Sequence, residues 1–178
     1  MNTEELYTRF WNARFDAERG VRFHMSRYGF WAGLSLFSQF SGLVLIFCSV
    51  GLIMSSNTAF AVAANLIVAA ASLAVIIFKS ERRARFNDSQ RRDHYAILNL
   101  IPADHANYTE RLLQDIEAHV NAIYARDKND FQCLNVICHN ELCRANGIDD
   151  LWELSWVEEH IGSWMPIKYR TNRKKKQG

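Results

Sequence analysis

Between Tyr28 and Phe78 the chain has no aspartate, glutamate, lysine or arginine, an absence fifty-one residues long in a protein of 178. Proline is nearly absent as well: Pro102 and Pro166 are the two in the sequence. Glycine is scarce, eight in all and several of them inside or beside the uncharged run, which leaves little material for a phosphate cradle. No Gly-x-x-x-x-Gly-Lys loop, Gly-x-Gly-x-x-Gly turn or Gly-x-Ser-x-Gly elbow occurs, so nucleotide binding and serine-hydrolase chemistry have no motif to rest on. The four cysteines, Cys48, Cys133, Cys138 and Cys143, lack disulfide-type spacing and suit a reducing compartment. Steps of five residues turn a helix by roughly 500°, so Cys133, Cys138 and Cys143 diverge and cannot share one metal ion. Glu158 and Glu159 are adjacent on a helix and diverge too. These absences exclude no fold, but they point away from an enzyme, a metal and a cofactor.

The uncharged run itself predicts a location. A bilayer core about 30 Å thick takes roughly twenty apolar residues as helix, so the run is long enough for two spans, about 30–54 and 60–78, joined by a turn at Ser55, Ser56, Asn57 and Thr58. Basic residues bracket it: Arg9, Arg14, Arg19, Arg22 and Arg27 before, then Lys79, Arg82, Arg83, Arg85, Arg91 and Arg92 after. Positive flanks stay on the cytoplasmic side. The expectation is an all-α membrane protein, a two-helix transmembrane hairpin with a small cytoplasmic helical domain, multi-pass in the inner membrane with both termini cytoplasmic. Tyr28, Phe30 and Trp31 would form an interfacial aromatic belt. The expected divisions are 1–27, an amphipathic helix; 28–78, the hairpin; 79–165, a helical stalk and domain; and 166–178, a basic tail.

Polar residues in such spans usually face another helix or water. Thr58, Asn65 and Ser72 recur every seven residues, as do Ser35, Gly42 and Ser49, with Gln39 nearby. Ser38/Gly42 and Ala70/Ala74 are small-xxx-small pairs that permit close helix approach. The stripes pack the two spans together, or line a pore or an inter-subunit seam, which would require a homo-oligomer.

Outside the run, Leu6, Tyr7, Phe10, Trp11 and Phe15 lie at helical spacing; this amphipathic helix lies at the membrane surface or docks on the cytoplasmic domain, and because it leads directly into a span the membrane surface is its favoured site. After the run the helical pattern continues to Ile101 as a stalk. Tyr108, Leu112, Ile116, Val120 and Ile123 mark one further helix. Phe131, Leu134, Ile137, Cys138 and Leu142 mark another, with Asp130 as N-cap and Asn146-Gly147 as stop. A last helix is expected from Asp150 through Leu151, Leu154, Val157 and Ile161. On it Trp152 and Trp156 would share a face and, with Trp164, form either a protein contact site or a broad buried face. The tail, unstructured after Pro166, carries Arg173, Lys174, Lys175 and Lys176; with Arg82, Arg83 and Arg85 these would meet anionic lipid, nucleic acid being the less favoured partner.

The Arg27 and Lys79 brackets, the Ser55 to Thr58 turn and the Glu81-Arg-Arg-Ala-Arg85 extension together resemble the small two-transmembrane, SLATT-type effectors of bacterial anti-phage defence systems. That resemblance covers layout over most of the chain. It implies an oligomeric inner-membrane effector that permeabilises or depolarises the membrane when a cytoplasmic protein partner or sensor triggers it. The contrasting expectation is a non-conducting anchor or scaffold that recruits a soluble partner protein. The partners expected are therefore the lipid bilayer, further copies of the chain and a protein.

Overall fold

No proline ring interrupts the backbone ladder before position 102, and the first helix, α1, runs Thr3–Ile53. The computed structural model describes residues 2–53, 59, 62, 63, 66, 67, 69, 70, 73, 79–127 and 131–170, with the side chains of all of these except 45–53. Every regular element named along them is helical: after α1 come α2 (Ser80–Leu100), a 3₁₀ turn (His105–Asn107), α3 (Glu110–Arg126), α4 (Gln132–Ala145) and the short α5 (Trp156–His160).

The breaks between helices have local causes. Pro102 follows α2, the Asp104 carboxylate accepts the Ala106 N–H at 2.9 Å to open the 3₁₀ turn, and Thr109 Oγ1 accepts the Leu112 N–H at 3.3 Å to cap α3. Helix α4 ends in a Schellman motif. The Ile148 N–H donates to the Cys143 carbonyl at 2.8 Å and the Gly147 N–H to that of Arg144 at 3.3 Å, with Gly147 at φ +66, a value that favours glycine.

The chain divides into two compact units, Met1–Ser26 with Asp88–Gly178, and Arg27–Asn87. In the first, Phe10 and Ala17 of α1, Ile97 of α2 and Leu113, Ile116 and Ile123 of α3 form one core. Phe10 stacks on Tyr108 at 4.0 Å. Helix α4 contributes Leu134 and Cys138, which pack with Phe23. Arg9 and Glu117 form a two-pronged ion pair at 2.6 and 2.7 Å. The helices read from the stripes at 108–123 and 131–142 are thus present. In the second unit Trp31 is buried, with the Arg27 guanidinium 5.2 Å and the Arg83 guanidinium 4.7 Å from its ring.

Several expectations are corrected. Among the described residues no helix is long and apolar enough to cross a membrane, so the two-span hairpin, the multi-pass inner-membrane placement with cytoplasmic termini and the pore-forming reading are not supported; the expected turn at Ser55 to Thr58 lies outside the described residues. The physical reason is continuity. The uncharged residues from Tyr28 to Ile53 are the end of a helix whose first part is charged and packed in a core, and α2 beyond the run is rich in arginine and aspartate. Trp31 is no interfacial belt residue, being enclosed by two arginines. The N-terminal segment spends its apolar face, Leu6, Phe10, Ala13 and Ala17, on the helical core and not on a lipid surface. Nor is α2 a projecting stalk, since Gln90, His94 and Ile97 are fully buried.

The last helix is also shorter than its apolar pattern suggests. It begins at Trp156, because Ser155 and Glu158 form a capping box there. Asp130, the expected cap of α4, lies outside the described residues. Finally, 166–170 are docked. The Cys133 thiol donates to the Ile167 carbonyl at 3.2 Å, Tyr169 Oη to the Glu153 carbonyl at 3.0 Å, and the Arg170 N–H to Glu158 Oε1 at 2.8 Å.

Candidate interaction surfaces

Within the unit Arg27–Asn87, the described residues of the uncharged run leave large apolar side chains exposed. Leu36, Phe37, Phe40, Leu43, Val44, Val62, Leu66, Ile67 and Leu73 are each between 52% and 70% exposed. Helices hydrophobic on their open faces are normally covered by something else. An ideal Cβ built at Gly29, Gly33 or Gly42 would meet nothing within 4 Å, so among the described residues no close approach accounts for these glycines.

The predicted polar stripe is only partly visible. Gln39 is exposed and Ser35 half-buried. Ser49 falls where side chains are not described, and Thr58, Asn65 and Ser72 lie outside the described residues altogether. A serine missed by the heptad reading, Ser41, is buried and donates to the Ser38 carbonyl at 2.9 Å.

The tryptophans separate. Trp152 precedes α5 and is held by Asn140, whose Nδ2 donates to the Trp152 carbonyl at 2.7 Å while Oδ1 accepts its N–H at 2.8 Å. Its ring meets that of Tyr169 edge-on at 6.3 Å. It therefore shares no helix face with Trp156. Trp156, Trp164 and Met165 are 68%, 62% and 60% exposed, with Val157 and Ile161 beside them in sequence and also exposed. Trp156 stacks on His160 at 4.8 Å.

The inner side of this turn is fixed by two residues. Glu158 is buried; its Oε2 accepts the Ser155 N–H at 2.9 Å and Oγ–H at 2.8 Å, and its Oε1 accepts the Arg170 N–H. Gly162 lies against Cys133, and a Cβ there would overlap the Glu158 carbonyl and the Cys133 side chain. The Ser-x-x-Glu signature was available in the sequence. Asn140 and Gly162 had no periodic signal, because each answers to a partner distant in the chain.

Of the basic residues, Arg83 is engaged over Trp31, Arg85 pairs with Glu81, and Arg82 is exposed. Arg173, Lys174, Lys175 and Lys176 lie outside the described residues.

The buried titratable groups form a separate cluster. His24 and His94 stack at 5.5 Å, both buried, and His24 Nε2 lies 3.7 Å from Asp127 Oδ2. Gly20 makes the room: a Cβ there would overlap the His94 ring. Burial and then the neighbouring His24 push the His94 pKa down to about 4. Cys133, Cys138 and Cys143 are buried, and burial raises all three thiols, that of Cys138 to about 12. They fill space as small hydrophobes rather than act as thiolates. Among the described residues no three His, Cys, Asp or Glu side chains converge to hold a metal ion.

No protein-family model, no curated protein and no solved structure matches this chain.

Proposed function

We propose that this protein is a non-catalytic helical scaffold whose copies associate through the apolar exterior of residues 27–87, while residues 1–26 and 88–178 form a helical unit that takes up a protein partner. One observation carries the reading: nine large apolar side chains, each more than half exposed, in a stretch with no charged residue between positions 28 and 78. Fully burying a Leu, Ile or Phe is worth roughly 1.5–3 kcal/mol, so several such side chains offset the cost of association, about 4–15 kcal/mol. Open glycines at positions 29, 33 and 42 let a neighbouring helix approach closely. The scaffold reading is favoured over an effector acting on membranes because no described helix is long and apolar enough to cross one.

The test is co-expression of two differently tagged copies. The scaffold reading expects each tag to retain the other, and retention to be lost on Phe37→Ser with Phe40→Ser and Leu66→Ser. Absence of pairing in the unaltered chain overturns it, as does flotation with lipid vesicles in place of pairing.

A further inference from the structure

We propose that the outward face of α5 and the turns after it, formed by Trp156, Val157, His160, Ile161, Trp164 and Met165, is a docking site for an acidic amphipathic segment of a partner protein. The inference rests on the scaffold reading, since it names what the displayed unit takes up.

The face is defined by what lies behind it. Glu158 and Gly162, four residues apart, are both turned inward, Glu158 by its three accepted hydrogen bonds and Gly162 by its contact with Cys133. The winding continues past α5: the Ile161 N–H donates to the Val157 carbonyl at 2.9 Å and the Met165 N–H to the Ile161 carbonyl at 2.9 Å. Trp156 and His160, stacked on one another, therefore lie on the side of α5 away from Glu158, with Trp164 in the turn just beyond, its N–H donating to the Ile161 carbonyl at 3.0 Å. The two tryptophans are more than 60% exposed, although this is the residue type most often found at the energetic centre of interfaces. The inward anchoring keeps them out, so the exposure is a property of a held backbone and not of a frayed end.

Charge selects the occupant. A groove of about 480 Å³ beside this face is lined by Ser155, Val157, Glu158, Ile167, Lys168 and Arg170. Its one carboxylate is already saturated by Ser155 and the Arg170 backbone, while Lys168 and Arg170 are exposed. Glu159 is the single exposed acid on α5. From His160 to the end the sequence holds no aspartate or glutamate, and Arg173, Lys174, Lys175 and Lys176 follow. Apolar side chains on the tryptophan face and carboxylates toward Lys168 and Arg170 complement both properties at once.

The experiment measures anisotropy of a fluorescein-labelled amphipathic peptide, glutamates on one face and leucines on the other, titrated with the full chain. Binding is expected, about thirtyfold weaker for Trp156→Gln with Trp164→Gln, and with a flatter salt dependence for Lys168→Gln with Arg170→Gln. The same peptide with lysine for glutamate should not bind. Met165→Gln, lying beyond the helix, provides a second weakened variant if the double tryptophan variant fails to fold. Unchanged binding in the variants, equal binding of the lysine peptide, or no binding of the acidic peptide overturns the proposal. So does tryptophan-dependent binding of phosphatidylglycerol vesicles without peptide binding, which would make the face a lipid surface. Molar mass is read on the same samples: peptide binding by a chain that stays monomeric supports the docking site and removes the scaffold, whereas assembly without peptide binding removes the docking site alone.

Discussion

Replacing Asn140 by aspartate changes one atom and should cost more than most surface truncations. The Asn140 side chain is buried and pairs with both main-chain groups of Trp152 as a neighbouring strand would, donating to its carbonyl at 2.7 Å and accepting its N–H at 2.8 Å. In Asn140→Asp the donor becomes an oxygen facing the Trp152 carbonyl oxygen. One hydrogen bond is lost with its partner left unsatisfied, about 1–3 kcal/mol, and the buried charge meets the negative end of a carbonyl dipole, so a total near 3 kcal/mol is expected at neutral pH. A protonated carboxyl can donate again. Burial and the carbonyl raise the folded pKa of the new aspartate above the unfolded value of about 3.9. The deficit is therefore complete above the folded pKa, shrinks as pH falls through it, and is smallest below about pH 4. Asn140→Ala, with no group to titrate, loses both bonds at every pH. The assay is hydrogen exchange at the Trp152 amide, expressed as protection relative to the free peptide rate. About 3 kcal/mol is roughly a hundredfold loss of protection at neutral pH, recovered in part by acid in the aspartate variant only. Protection unchanged at neutral pH, or falling with acid in the aspartate variant relative to the alanine one, would refute the reasoning.

Three further outcomes follow from the buried groups. Gly20→Ala drives a methyl into the His94 ring, and overpacking of this kind should destabilise the helical unit by about 1–3 kcal/mol in chemical denaturation. His94 titrates near 4 when folded and about 6.5 when unfolded. The unfolded chain thus binds a proton first, and stability should fall by about 3 kcal/mol between pH 6.5 and 4; His94→Gln should remove that slope, and an unchanged slope would assign it to other groups. In a Cys48→Ser background, Cys133, Cys138 and Cys143 should react with a thiol reagent at pH 8 only on unfolding, since burial raises each thiol; fast reaction of the folded chain would contradict their placement in the core.

Helical periodicity made most of the first unit readable. The stripes at 108–123 and 131–142 became α3 and α4, and Phe10 in the N-terminal pattern became a fully buried core residue. The same pattern cannot say what an apolar face meets, so from spacing alone a lipid surface and a helical core both suit Phe10. The uncharged run failed as a location for a related reason. Length and flanking arginines measure suitability for a bilayer, but α1 passes from a charged, core-packed part into apolar residues without a break, and the bracket Arg27 is buried over Trp31 instead of lying in water. The last helix was misplaced because Leu151 and Leu154 continue an apolar spacing through a segment that is extended and tied to Asn140. The Ser155 and Glu158 capping box, a local hydrogen-bonding device, overrides that spacing. The histidine pair was invisible, since His24, His94 and Asp127 are brought together by three different parts of the chain.

On the scaffold reading, the exposed apolar residues in 27–87 are covered by other copies. Light scattering on the purified full chain over a range of concentrations tests it directly. The scaffold account predicts a mass that is a multiple of the 20.6 kDa chain, collapsing to a single chain on Phe37→Ser, Phe40→Ser, Leu66→Ser and Ile67→Ser together. A mass of one chain at every concentration, or an assembly that those four substitutions leave intact, would contradict it.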